Sequence, residues 1–215
     1  MAHPVFARVF ARLIRWAEPS LAEHRQALVA GLAGRVVEIG AGTGASFRHY
    51  PAEVDEVVAV EPEPYLHGLA TQAARRAPVR VGVVDAAAER LPFEDGAFDA
   101  AVVSLVLCSV PDQARALAEI RRVIRPGGEL RFWEHVAAPR GSIRRAVQQR
   151  VDLVWPLLGG GCHASRETVA AIEAAGFDIE RCDRFDLQRG PTKPHVLGRA
   201  RVGGPAESPT HLEAV

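Results

Sequence analysis

The sequence predicts an α/β domain built on a parallel sheet. Three features carry that expectation: short apolar runs alternate with helical segments, a glycine loop follows the first run directly, and an acid ends the second. The first run is Arg35-Val36-Val37-Glu38-Ile39, the loop is Gly40-Ala41-Gly42-Thr43-Gly44, and Val57-Val58-Ala59-Val60 runs into Glu61-Pro62. Strands separated by helices of this length require right-handed crossovers.

Ahead of the sheet, Phe6, Val9, Phe10, Leu13 and Ile14 stand at helical spacing within Pro4 to Glu18, with Arg8, Arg12 and Arg15 on another face. Such a helix can pack on the domain, lie on a membrane surface, or close over a ligand; residues 1–33 are read as a helical lid. A second helix is expected over Leu21 to Leu32, ended by Gly34 in a left-handed cap. Another should follow the glycine loop from Ala45. Further on, the pattern predicts a helix over Tyr65 to Arg76 and strands over Val79 to Val84 and Phe98 to Val103. Helix Gln113 to Ile124 is stopped by Pro126-Gly127-Gly128 before strand Glu129 to Glu134. Ser142 to Leu158 reads as a helix outside the alternation, and helix Ser165 to Ala175 precedes strands Phe177 to Phe185 and His195 to Val202. The Gly, Pro and polar tail, 203–215, is expected to be disordered, leaving one domain over 34–202.

Composition narrows the partners. The chain has 215 residues, 26 Lys+Arg against 26 Asp+Glu, and 48% apolar residues, enough for one substantial core. Zero net charge argues against nucleic acid as a partner. No uncharged apolar run approaches the roughly 18 residues of a membrane helix, and no secretory signal is legible, so a cytoplasmic protein without an integral membrane segment is expected. Cys108, Cys162 and Cys182 form neither an even disulfide set nor a CxxC pair, and Cys162-His163 lacks a second spaced pair. No metal is expected from this spacing.

The chemistry concentrates at the glycine loop. Gly40, Gly42 and Gly44 let backbone amides approach a ligand at a helix N-terminus, and their GxGxG spacing is tighter than the GxGxxG that cradles a pyrophosphate. Glu38 just before the loop would repel a pyrophosphate and suit an ammonium group. Glu61, at the tip of the second strand, can accept both hydroxyl protons of a ribose. Together these parts describe a site for an adenosyl group.

With VVEIGAGTG at 36–44, VVAVEPEP at 57–64, AERLPFEDGAFD at 88–99 and VIRPGGELRFWEHV at 123–136, the sequence resembles the class I S-adenosylmethionine-dependent methyltransferases across residues 30–200. LVLCSV at 105–110, EHVA at 134–137 and GCHASRET at 161–168 are similar to the animal alkyl-thiol S-methyltransferases and their bacterial relatives. The resemblance implies a Rossmann-like, seven-stranded, mostly parallel sheet flanked by helices, with S-adenosyl-L-methionine as cofactor. The animal enzymes carry an N-terminal hydrophobic anchor, and no such run stands in this sequence. Carried over by position, Gly40, Ala41, Gly42 and Gly44 would hold the methionine portion with Glu38 near its ammonium. Glu61 and Pro62 would take the ribose, Asp85 and Ala88 the adenine, and Ser104 and Leu105 would border the methyl donor. The family's acid before Ala-Glu is here Ala87, which leaves the displaced Asp85 as the nearest one.

Methyl transfer from a sulfonium is an in-line displacement that asks mainly for alignment and exclusion of water. A thiol acceptor also needs help to ionise, and His135 at the end of the fifth strand is the candidate base, against the plainer reading of a histidine that only supports the strand end. Cys108 reads as a buried thiol that lines or supports the pocket. The expected partner is a small apolar molecule, a thiol by resemblance; a quinone-precursor C-methyltransferase, a phospholipid N-methyltransferase and a non-catalytic cofactor-binding module stay open. A homodimer is compatible with the sequence.

Overall fold

The computed structural model describes residues 4–187 and 193–203, apart from the side chains of 4–6, 15 and 158. The expected disordered tail beyond Gly203 and the side chains of Phe6 and Arg15 lie outside the described residues. Seven strands form one sheet: β1 (Gly34–Ile39), β2 (Val54–Val60), β3 (Val81–Val84), β4 (Phe98–Ser104), β5 (Ile124–His135), β6 (Phe177–Asp186) and β7 (Pro194–Val202). Their order is β3-β2-β1-β4-β5-β7-β6. The first five run parallel, whereas β7 pairs antiparallel with both β5 and β6. The order reverses between β1 and β4, so the carboxyl ends of those two strands border the crevice where such sheets take ligands.

Residues that alternate along the strands feed two cores. Val37, Ile39, Val58, Val60, Ala101 and Val103 point to one face, where Leu117, Ile120 and Val123 of α3 (Gln113–Val123) and Ile172 cover them. Val36, Val57, Ala59, Ala100, Val102 and Trp133 point to the other, under Leu21, Leu28, Val29 and Leu32. Burial on both faces explains why these strands read as continuous apolar runs.

The helices depart from expectation in four places. The two N-terminal helices are one, α1 (Pro4–Val29), with Pro19 inside it. The apolar face that continues through Leu21 and Leu28 against the sheet keeps the chain helical past a residue that removes one backbone bond. Gly31, at φ +73°, follows the helix end, whereas Gly34, left-handed as expected and also at φ +73°, opens β1. No α-helix follows the glycine loop: a single 3-10 turn, Phe47–His49, leads to Pro51, and α1 occupies the layer such a helix would fill. Pro126 to Gly128 do not end a helix before a strand. They bulge out within β5, whose register to β4 jumps from Phe98↔Ile124 to Ala100↔Glu129. A Cβ on Gly128 would stand 2.6 Å from the Asp99 carbonyl oxygen. Finally, 142–158 breaks into α4 (Ile143–Val151) and α5 (Trp155–Leu158), because Asp152 turns out of the helix to accept from the Ala164 and Ser165 amides at 2.5 and 3.0 Å. The remaining helices, α2 (Pro64–Ala74), α3 and α6 (Thr168–Ala174), fall within a few residues of expectation. Among the described residues, no helix is long and apolar enough to cross a membrane.

Candidate active site

The glycine loop leaves β1 through left-handed backbone at Gly40, Gly42 and Gly44. Side chains are excluded for a second reason at two of them: a Cβ on Gly40 would meet Val106 at 2.6 Å, and one on Gly44 would meet the Phe47 ring at 2.6 Å. The Ala41 amide donates to Val60 O at 3.0 Å, pinning the loop to the end of β2. There Glu61 accepts from the Gly42 amide at 2.7 Å and the Glu63 amide at 2.9 Å. Burial raises its pKa against those two amides. The strand end and the loop are thus one unit, which the local sequence separates by 19 residues.

Glu38 is buried in the floor of the same unit. It accepts from the Tyr50 hydroxyl at 2.8 Å, and Ser46 and Arg25 also favour its charge, but burial outweighs them and pushes its pKa up to about 7. Arg25 comes from α1. It is 6% exposed, pairs with Glu18 at 3.2 Å, and stacks on Trp133 with its guanidinium carbon 5.6 Å from the ring centroid. No motif marks Arg25, but its spacing carries a signal: it lies four residues after Leu21 and three before Leu28, on the apolar face.

Glu38, Gly40, Ala41, Gly42, Ser104 and Leu105 line one cavity of about 30 Å³ together with Arg25, Thr43 and Ala45. Phe10 and Ile14 of α1 close it. Ser104 Oγ is buried without a hydrogen-bond partner. Leu105 adopts φ +60°, the only left-handed non-glycine among the described residues, and its amide donates to Trp133 O at 2.8 Å. Backbone held this way at a strand end marks a constrained site. Asp85 follows β3, whose Val84 is paired with Val60, so it stands beside Glu61 at the same sheet edge. Pro62 is exposed and links Glu61 to α2, and Ala88 is buried in the core. These three do not line the small cavity. Outside it, α1, the glycine loop and α2 enclose a wider cleft of about 560 Å³.

The far side of the site is built on β5. Glu134, fully buried, accepts from the amides of Val106, Leu107 and Cys108 at 2.8, 3.0 and 3.3 Å and so anchors the loop that continues β4. Burial raises its pKa against those amides. His135 Nε2 lies 2.9 Å from Cys162 Sγ, and its Nδ1 is buried without a hydrogen-bond partner. Burial works against charge on His135, but Cys162, Glu134 and Asp152 outweigh it and raise its pKa. The Cys108 thiol, His135 and the Trp155 indole N–H, 3.4 Å away, all favour a Cys162 thiolate and lower its pKa, while Cys162 and then burial raise that of Cys108. Cys108 is a buried thiol, as its neighbours suggested, and Cys162 sits in a loop, but no local spacing showed that the two would meet.

Comparison with known proteins was consistent with this geometry. A family described as a methyltransferase domain matches residues 37–132. The chain is 37% identical over 177 residues to the human thiol S-methyltransferase TMT1B, covering 79% of this chain and 72% of that protein. It is 36% identical over 178 residues to human thiol S-methyltransferase TMT1A, covering 80% and 72%. A crystal structure of an S-adenosylmethionine-dependent methyltransferase from Thermotoga maritima superposes with a TM-score of 0.67 at 25% identity, covering 92% of this chain and 98% of that one.

Proposed function

The chain belongs to the class I S-adenosylmethionine-dependent methyltransferases, and from that premise we propose that its acceptor is a small-molecule thiol. The residues present fit the cofactor. The buried Glu38 carboxyl lacks a strong cationic partner of its own, Ser104 Oγ lacks a hydrogen-bond partner, and Gly40, Gly42 and Gly44 keep three of the loop's five positions free of side chains. Glu38 would hold the ammonium, the Gly40 to Gly44 loop the methionine portion, Glu61 with Pro62 the ribose, and Asp85 and Ala88 the adenine edge. Ser104 and Leu105 would border the methyl. The bound cofactor supplies a methyl carbon activated by a sulfonium.

The protein's task is to align the acceptor and keep water out. A cavity of about 30 Å³ has room for little more than a water molecule, so Phe10 and Ile14 must swing away to admit the cofactor and return to cover it. That motion is the lid role proposed for residues 1–33.

The observation that carries the thiol reading is His135 and Cys162 in contact at 2.9 Å, at the end of the strand next to the Ser104 and Leu105 edge. This sulfur and imidazole pair suits an acceptor sulfur that must lose its proton. Similarity to two thiol S-methyltransferases supports the same reading. The segment that carries Trp155 to Cys162 also exposes Leu153, Val154 and Leu157, surface suited to an apolar acceptor.

A labelled-methyl assay on a panel of alkyl thiols, amines and phenols tests the proposal. Transfer to thiols in preference to the others is expected, and transfer to an amine or phenol alone would reject it. His135→Ala should lower turnover by on the order of 100-fold or more with cofactor affinity unchanged.

A further inference from the structure

Cys108 Sγ, Cys162 Sγ and a ring nitrogen of His135 all lie within 4.8 Å of one another, with His135 Nε2 2.9 Å from Cys162 Sγ. They arrive from three places, the loop after β4, the end of β5, and the loop between α5 and α6. Each is fixed by its surroundings. Glu134 holds the Cys108 amide, the His163 amide donates to the Cys108 carbonyl at 2.9 Å and so ties the two cysteine loops together, and the Trp155 N–H reaches Cys162 Sγ. All three cysteines of the chain are free thiols. Cys108 and His135 are buried, while Cys162 is partly exposed.

We propose that Cys108, His135 and Cys162 form a three-ligand site for a zinc-class divalent cation, with the fourth position open to the sulfur of the acceptor thiol. Thiolate and imidazole ligands select a borderline-soft ion of this kind over magnesium or calcium, which take oxygen. Three protein ligands with one position left for water or substrate is the pattern of catalytic rather than structural zinc. Ligand atoms less than 4.8 Å apart need only small adjustments to reach Zn–S of about 2.3 Å and Zn–N of about 2.0 Å. The Trp155 N–H on Cys162 is the outer-shell hydrogen bond such a ligand uses to hold its orientation.

The thiol part of the inference rests on the acceptor proposed above. With the cation bound, His135 serves as a ligand and the ion takes over its part in ionising the acceptor: R–SH releases its proton to solvent and becomes a bound thiolate. Its sulfur then forms the new S–C bond as the cofactor's sulfonium C–S bond breaks, the bonding pair leaving on the cofactor sulfur. No oxidant or reductant is consumed. The product thioether carries no charge and is a poorer ligand, which favours release.

The test is a Co²⁺ titration of the reduced full chain followed by optical absorption, with Zn²⁺ added as competitor. One equivalent should bind with thiolate charge-transfer bands and the intense d–d bands of a tetrahedral site, and Zn²⁺ should displace it. Cys162→Ser and Cys108→Ser should each weaken binding by roughly 100-fold or more, whereas Cys182→Ser on β6 should leave it intact. Ethanethiol should add to the charge-transfer band of the bound ion. No saturable binding by the reduced chain, with a Cys108–Cys162 disulfide formed in air, would assign the pair to redox chemistry and overturn the site. Equal binding by Cys162→Ser, a partly exposed position whose variant should fold, would overturn it too. Saturable binding with no response to ethanethiol would overturn the fourth position as the acceptor's place. An intact Co²⁺ spectrum in an enzyme that methylates no thiol would reject the proposed acceptor and leave the three-ligand site standing.

Discussion

Cofactor binding should weaken with acid because Glu38 must be ionised to meet an ammonium group. In the folded protein burial holds its pKa at about 7, against an ordinary 4.5. The folded chain therefore keeps this proton where the unfolded chain has released it. The contribution to stability has a definite sign: it falls as the pH rises from 4.5 towards 7, by roughly 3 kcal/mol at full extent for a shift of this size. A ligand cation reverses the preference by pairing with the carboxylate. With the binding-competent fraction set by a pKa of about 7, the apparent Kd for S-adenosylmethionine should rise about 25-fold between pH 7.5 and pH 5.5, close to 2 kcal/mol. Isothermal titration across that range in two buffers of different ionisation enthalpy should also show close to one proton released per cofactor bound at pH 6. Glu38→Gln should bind more weakly at pH 7.5 and lose most of the pH dependence, the remainder belonging to Glu61, whose pKa burial also raises. A constant Kd across the range, or an unchanged profile in Glu38→Gln, would refute the reasoning, since no other buried acid lines that cavity.

Three further outcomes follow from the same geometry. Glu61→Ala removes the acceptor of the Gly42 and Glu63 amides and should cost about 1.5 to 3 kcal/mol of cofactor affinity by titration, so an unchanged Kd would remove Glu61 from the site. Phe10→Ala with Ile14→Ala thins the cover over the cavity, and stopped-flow binding should show cofactor dissociating about tenfold faster or more; an unchanged rate would assign α1 to packing alone. Trp133→Ala empties a fully buried site beneath Arg25 and should lower stability by about 3 to 5 kcal/mol in urea unfolding, where a loss below about 1 kcal/mol would contradict the burial.

The sheet was legible because both of its faces are buried. Val36 and Val37, Val57 to Val60 and Ala100 to Val103 are apolar and buried on successive residues, and a short run of that kind between glycine and helix signals has few other places to go. The glycine loop was legible for a related reason. Its demands are local: three glycines in left-handed backbone, a carboxyl just before them and another at the next strand end. Helix ends and breaks were less so. Nothing local to Ala45 says that α1 already occupies the layer a helix there would fill, and nothing near Pro19 says that sheet packing carries the helix through it.

The chemistry opposite the loop depended on the fold. Arg25 shares the small cavity with Glu38, 13 residues away in sequence, only because α1 packs across the sheet face, and burial there, rather than residue type, moves the Glu38 pKa to about 7. Cys108, His135 and Cys162 are separated by 27 residues at each step, so no spacing rule joins them. Neighbouring strand ends, one glutamate holding three amides, and a helix broken at Asp152 bring them together. Backbone conformation and apolar periodicity are short-range properties that a sequence carries openly, whereas desolvation and the meeting of distant side chains exist only once the sheet has closed.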